Sequence, residues 1–111
     1  MPELGWIGVD LDGTLAKYTG WNPNIGEPIS LMVDRVKLWI HQGKEVKIFT
    51  ARVADPDQRE QQRSLIEIWC IAHLGKKLEI TYKKDHLMIE LWDDRVVQVI
   101  PNTGKRADGK D

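Results

Sequence analysis

Two carboxylates, one residue apart, close a short apolar run: Trp6-Ile7-Gly8-Val9-Asp10-Leu11-Asp12, followed by Gly13-Thr14. Further reactive groups come later, each after an apolar run of its own. Thr50 follows Val46, Ile48 and Phe49; Lys83 and Lys84 follow Leu78 to Tyr82; Asp93 and Asp94 follow Leu87 to Trp92. Together they offer carboxylates for a hard cation, a hydroxyl and an ammonium. Mg²⁺ takes oxygen ligands and is commonly held by one or two carboxylates together with substrate phosphate and water. A transferring phosphoryl group needs its charge neutralised and its attacking group in line. The inventory suits phosphoryl transfer to a carboxylate.

These groups can meet only if the runs that carry them are neighbouring parallel strands. An apolar run bounded by turn residues reads as a buried strand. Parallel strands bring their C-terminal ends to one edge, where open α/β sheets bind ligands. The pattern predicts strands over 5–11, 45–50, 78–82 and 87–92. Ser30 is the expected cap of a helix carrying Met32, Val33, Val36, Trp39 and Ile40, stopped at Gly43. Asp55-Pro56-Asp57-Gln58 is the expected start of a second helix, whose first half is polar and solvated and which ends at Gly75. Residues 12–27 form a turn-rich loop leaving directly from the carboxylates. Residues 96–100 are β-prone but lie too close to the preceding strand for a parallel crossover, so an antiparallel partner or an edge piece is expected. The expectation is therefore an α/β domain with a Rossmann-like, mostly parallel sheet flanked by helices, over 1–104. A disordered tail follows over 105–111.

Composition narrows the functions. With 111 residues and a net charge of −1, the chain has no global field for nucleic acid or an anionic membrane. The single Cys70 lies in an apolar segment and reads as core. No leader peptide and no membrane-length apolar run is visible, so a cytoplasmic protein without a membrane partner is expected. Of the five tryptophans, Trp39 and Trp69 sit on apolar helix faces, and Trp6 and Trp92 sit in strands. Trp21 differs, because it lies in the loop that leaves the carboxylates. It either stacks on a substrate's base or sugar or packs the loop.

The motifs resemble those of the haloacid dehalogenase (HAD) superfamily. Asp10-Leu11-Asp12-Gly13-Thr14 matches its first motif, DxDGT; Phe49-Thr50 resembles the second, Lys84 the third, and Trp92-Asp93-Asp94 the acidic fourth. The chain to about Gly104 is similar to the short, stand-alone hydrolases of this superfamily found in bacterial and phage genomes. The resemblance implies a Mg²⁺-dependent phosphomonoester hydrolase that works through an aspartyl-phosphate. It assigns attack to Asp10 and proton transfer to Asp12. Thr50 would donate to a phosphate oxygen, and Lys84, or its neighbour Lys83, would offset charge. It implies a Mg²⁺ held by the Asp10 carboxylate, the Asp12 backbone carbonyl and Asp93, with Asp94 a further or water-mediated ligand. Phosphatases of the superfamily keep the second aspartate, and dehalogenases lack it.

Substrate contacts are expected from Thr50, Arg52 and Trp21; Arg52 and Arg95 either bind substrate phosphate or hold a solvated or structural place. Neither the 14–30 interval nor the 51–78 interval can hold a cap domain, so the site should be open unless a second copy of the chain covers it. An open site suits a range of phosphorylated substrates. Three functions follow: a general phosphomonoesterase; a phosphatase of nucleotides or nucleic-acid ends; or, in another class, a non-catalytic module binding Mg²⁺ and a phosphorylated partner.

Overall fold

The computed structural model describes residues 4–110. Four strands are present: β1 (Trp6–Asp10), β2 (Glu45–Phe49), β3 (Glu79–Thr81) and β4 (Met88–Trp92). Two α-helices separate them, α1 (Ser30–His41) and α2 (Arg59–Leu74), with a 3₁₀ turn at Ala51–Val53. The sheet order is β3-β2-β1-β4, and every pairing is parallel. The expected α/β class and Rossmann-like sheet are what the chain adopts. No helix among the described residues is long and apolar enough to cross a membrane.

The steps from β1 to β2 and from β2 to β3 run in the same direction across the sheet. Right-handed crossovers then place α1 and α2 on one face. The core agrees: Ile7, Val9, Val46, Ile48 and Ile80 from the strands form one buried cluster with Val33, Val36, Ile66, Trp69, Cys70 and Leu74 from the helices. Cys70 is buried, and burial pushes its thiol up to about 11. α2 ends where expected, at Gly75 in the left-handed conformation.

Among the described residues, the opposite face carries no helix. Only residues 82–87 join β3 to β4, on opposite edges of the sheet. Parallel strands ordinarily need a crossover of about a dozen residues or more. The register aligns Thr81 with Phe49 and Asp10, and Trp6 with Met88. The link therefore crosses three strand spacings and returns four residues, a diagonal of about 19 Å. An extended chain from 81 to 88 reaches roughly 24 Å, so little slack is left, and the segment crosses as a short strap that turns into β4 where the Met88 N–H donates to the Asp85 carbonyl at 3.2 Å.

Trp6 anchors that strap. Its indole N–H donates to Asp85 at 2.9 Å, and its backbone N–H donates to the Leu87 carbonyl at 2.7 Å. The ring stacks on Phe49 at 6.5 Å, and the Lys47 ammonium sits 4.5 Å from its centre. It lies over Gly8, where an added Cβ would meet Met88 Cε at 3.0 Å and Trp6 Cζ3 at 3.1 Å. One tryptophan, only 1% exposed, thus does the covering that a helix gives the other face.

Local starts differ from the sequence expectation. Ser30 is the first helical residue, and Ile29 precedes it with no side-chain cap. The Ile29 N–H donates to the Leu15 carbonyl, so the tie to the first loop sets the helix entry. Asp55 turns back on Asp57 N–H at 2.9 Å, and α2 begins only at Arg59. Residues 96–100 form no strand; Val99 makes a single antiparallel bridge to Arg106, closing a turn within the C-terminal segment.

Candidate active site

The C-terminal edge of the sheet opens into a cleft of about 430 Å³ lined by Asp10, Asp12, Tyr18, Trp21, Thr50, Arg52, Asp55, Gln58, Asp93 and Arg95, among others. β1 delivers Asp10, and β4, its parallel neighbour, delivers Asp93 and Asp94 just beyond its end. Carboxylate oxygens of these three residues lie within 4.8 Å of one another. Burial, the charge of Asp93 and a hydrogen bond shared with Asp94 push the Asp10 carboxyl up to about 7. That cluster is short of positive charge.

The Gly13-Thr14 turn seats the cluster. Gly13 has φ +89°, and a Cβ there would fall 2.6 Å from Asp94 Oδ2. The Thr14 hydroxyl donates to Asp94 Oδ1 at 3.3 Å. Asp93 Oδ1 accepts the Arg95 N–H at 2.8 Å, which fixes the carboxylate and leaves its other oxygen free of protein donors. The donor set consists of hard oxygens from three side chains, which fits Mg²⁺.

The Asp12 side chain stands apart from that set. Its two oxygens accept from Arg52 Nε at 2.7 Å and Nη2 at 2.8 Å, a bidentate fork. The remaining Arg52 donors go to the Pro23 carbonyl (3.2 Å), Gln62 Oε1 (3.1 Å) and the Asn22 carbonyl (2.9 Å). A guanidinium has five N–H donors, and here each has a partner within the chain. The fork takes one lone pair on each Asp12 oxygen and leaves the others open to a proton.

Thr50 is buried at the end of β2, where its hydroxyl accepts the Arg52 N–H at 3.1 Å and keeps its own hydrogen for a ligand. Trp21 is 65% exposed, with the Arg52 guanidinium 4.9 Å from the ring centre.

The cleft thus brings together Asp10, Asp12, Thr50, Arg52, Trp21 and Asp93, with Asp94 joined to Asp10 and Asp93. It does not bring in either lysine. Lys83 and Lys84 are exposed and absent from the cleft wall, and the Lys83 ammonium lies 5.4 Å from the Tyr82 ring centre. The reason is the strap: past β3 the chain crosses the back of the sheet instead of entering a helix at the edge. Arg52, expected to contact substrate, spends its donors inside the chain.

Gln62 belongs to the site and was not anticipated, since the first half of α2 reads as solvated. It is 1% exposed. Its signal was present: Gln62, Ile66, Cys70 and Leu74 recur every four residues on one buried face, and a polar residue on such a face needs a partner. Tyr18 and the carbonyls of Asn22 and Pro23 carry no comparable pattern.

Fold and site define a small α/β domain with an acidic cluster at the C-terminal edge of a parallel sheet. A solved structure of a conserved protein from Bacteroides thetaiotaomicron is similar, with a TM-score of 0.59 and 24% identity over 90% of this chain and 84% of that one. At that identity the likeness speaks for the fold alone. No family model matches the chain, and no curated protein matches it.

Proposed function

We propose that the protein is a Mg²⁺-dependent phosphomonoester hydrolase working through an aspartyl-phosphate on Asp10. The observation that carries this reading is the convergence of Asp10, Asp93 and Asp94 within 4.8 Å, beside Asp12 and Thr50 in one cleft. Asp10, Asp93 and Asp94 would hold the cation, which neutralises charge on the cluster and on the phosphoryl oxygens. It would also hold Asp10 deprotonated at a pH where the bare cluster keeps a proton on it.

The chain's own residues supply the rest. An Asp10 oxygen forms a bond to phosphorus while the ester P–O bond breaks. The leaving oxygen takes a proton from Asp12, which the Arg52 fork keeps in place. Asp12 then takes a proton from water as that water's oxygen bonds to phosphorus. The acyl-phosphate P–O bond breaks, inorganic phosphate leaves, and Asp10 is restored. The Thr50 hydroxyl donates to a phosphoryl oxygen throughout. Arg95, on the cleft wall, replaces the expected lysine as the side-chain cation.

The test is phosphate release from 4-nitrophenyl phosphate with Mg²⁺ and with chelator, for wild type and Asp10→Asn. We expect turnover that needs Mg²⁺ and falls by about 10⁴-fold or more in Asp10→Asn. Release that survives the substitution would overturn Asp10 as nucleophile. Absence of release, together with calorimetric Mg²⁺ binding to wild type, would favour the non-catalytic binding module.

A further inference from the structure

We propose that Trp21 and Tyr18 form a ring-binding subsite that takes the base of a phosphorylated nucleoside, the leaving group of the ester. The inference rests on the phosphatase reading for the reaction and on separate observations for the ligand. Trp21 and Tyr18 line the same cleft as Asp10 and Asp12. Trp21 is 65% and Tyr18 40% exposed, so neither ring packs the loop into the core.

Trp21 is nevertheless held. The Arg52 guanidinium lies 4.9 Å from its centre, and the carbonyls of Asn22 and Pro23, the next residues in the chain, accept from that same guanidinium. Arg52 is itself fixed by Asp12 and the buried Gln62. An exposed indole braced by a fully bonded cation is a preset stacking platform. One guanidinium therefore sets both the proton carrier and the ring platform, where the leaving oxygen and its organic group must lie.

The occupant follows from the chemistry. A cleft of about 430 Å³ lies within the usual range for small-molecule sites. Asp55 and Gln58 in the cleft wall offer both donors and acceptors to the edge of a flat ring. Stacking on an aromatic side chain is worth enough per base to change affinity tenfold or more. A free mononucleotide and the end of a strand present the same phosphorylated nucleoside.

The decisive comparison is adenosine 5′-monophosphate against ribose 5-phosphate, which share phosphate and sugar and differ by the base. We expect kcat/KM to favour the nucleotide by about tenfold or more, and that ratio to fall to near one in Trp21→Ala. Adenosine alone should quench tryptophan fluorescence in wild type and not in Trp21→Phe. Equal kcat/KM for the two esters in wild type, or a preference that Trp21→Ala leaves intact, overturns the subsite while leaving the phosphatase reading standing. Trp21-dependent quenching with no phosphate release from any ester supports the subsite and removes the phosphatase reading. A 5′-phosphorylated oligonucleotide assayed beside the mononucleotide assigns the source, and faster release from either, lost in Trp21→Ala, supports the proposal.

Discussion

The two halves of the cleft handle charge in opposite ways. On one side, Asp10, Asp93 and Asp94 crowd together with no side-chain cation among the described residues bonded to them, and Asp10 holds its proton up to about 7. On the other, Asp12 meets a guanidinium whose five donors are all engaged. A buried pair that is fully hydrogen-bonded is a finished structural part. A cluster of like charges is strained until something positive arrives. On the proposed reading, the unsatisfied half is where the cation acts, and the satisfied half is what stays still while it does.

The sharpest way to break the comparison is to remove one member from each half. Arg52→Met strands Asp12, Gln62 and two loop carbonyls, and should cost about 3–5 kcal/mol in urea unfolding. Above about pH 7, where Asp10 is ionised, Asp10→Asn relieves repulsion and should raise stability by about 1 kcal/mol without Mg²⁺. Two losses of similar size would abolish the distinction. Next in size, saturating Mg²⁺ should stabilise wild type by about 2.7 kcal/mol at a hundred times its Kd, and Asp10→Asn by much less. Differential scanning fluorimetry across a Mg²⁺ titration reads this.

The pH dependence carries the same contrast. The Asp10 pKa is raised on folding, so its stabilising proton is fully present below about 4 and lost as pH climbs through about 7. Without Mg²⁺, the Asp10 contribution to stability should therefore decline across that window, and the decline should vanish in Asp10→Asn. Mg²⁺ competes with that proton, so its calorimetric affinity should rise by about tenfold per pH unit up to about 7 and then level. The smallest effect belongs outside both halves. Lys84→Ala should change stability by less than about 0.5 kcal/mol, and phosphate release should be nearly unaltered. A large loss of turnover would return the lysine to the site.

Much of this was legible in the residues themselves. The strands expected over 5–11, 45–50, 78–82 and 87–92 each contain an observed one; β1 is buried along nearly its whole length, whereas β2 alternates, with Val46 and Ile48 buried and Glu45 exposed. Asp10 and Asp93 could be paired because parallel neighbours end on one edge. Lys84 could not be placed, because nothing local says whether a polar turn climbs back to that edge or crosses behind the sheet. Trp6 decides the matter from the other end of the chain. Arg52 stayed open between a substrate contact and a structural role because its partners lie at positions 12, 22, 23 and 62, which only the folded loop assembles. The cap at Ser30 and the helix start at Asp55 were displaced by tertiary bonds to Ile29 and by the turn that Asp55 makes with Asp57. Propensity yields to such ties.

The strap behind the sheet also bears on the order in which the protein assembles. β1 and β2 are joined through α1, whereas β4 must find β1 from the far end of the chain. Long-range pairings of this kind form late, because loop closure precedes their reward. Asp93 and Asp94 ride on that strand, so a chain that has folded only through β3 holds Asp10 without its partners. A bound cation would then act as a clasp on the last strand to dock. Hydrogen exchange of the β4 amides should slow more on Mg²⁺ addition than exchange in β2, making the metal a reporter of completed folding.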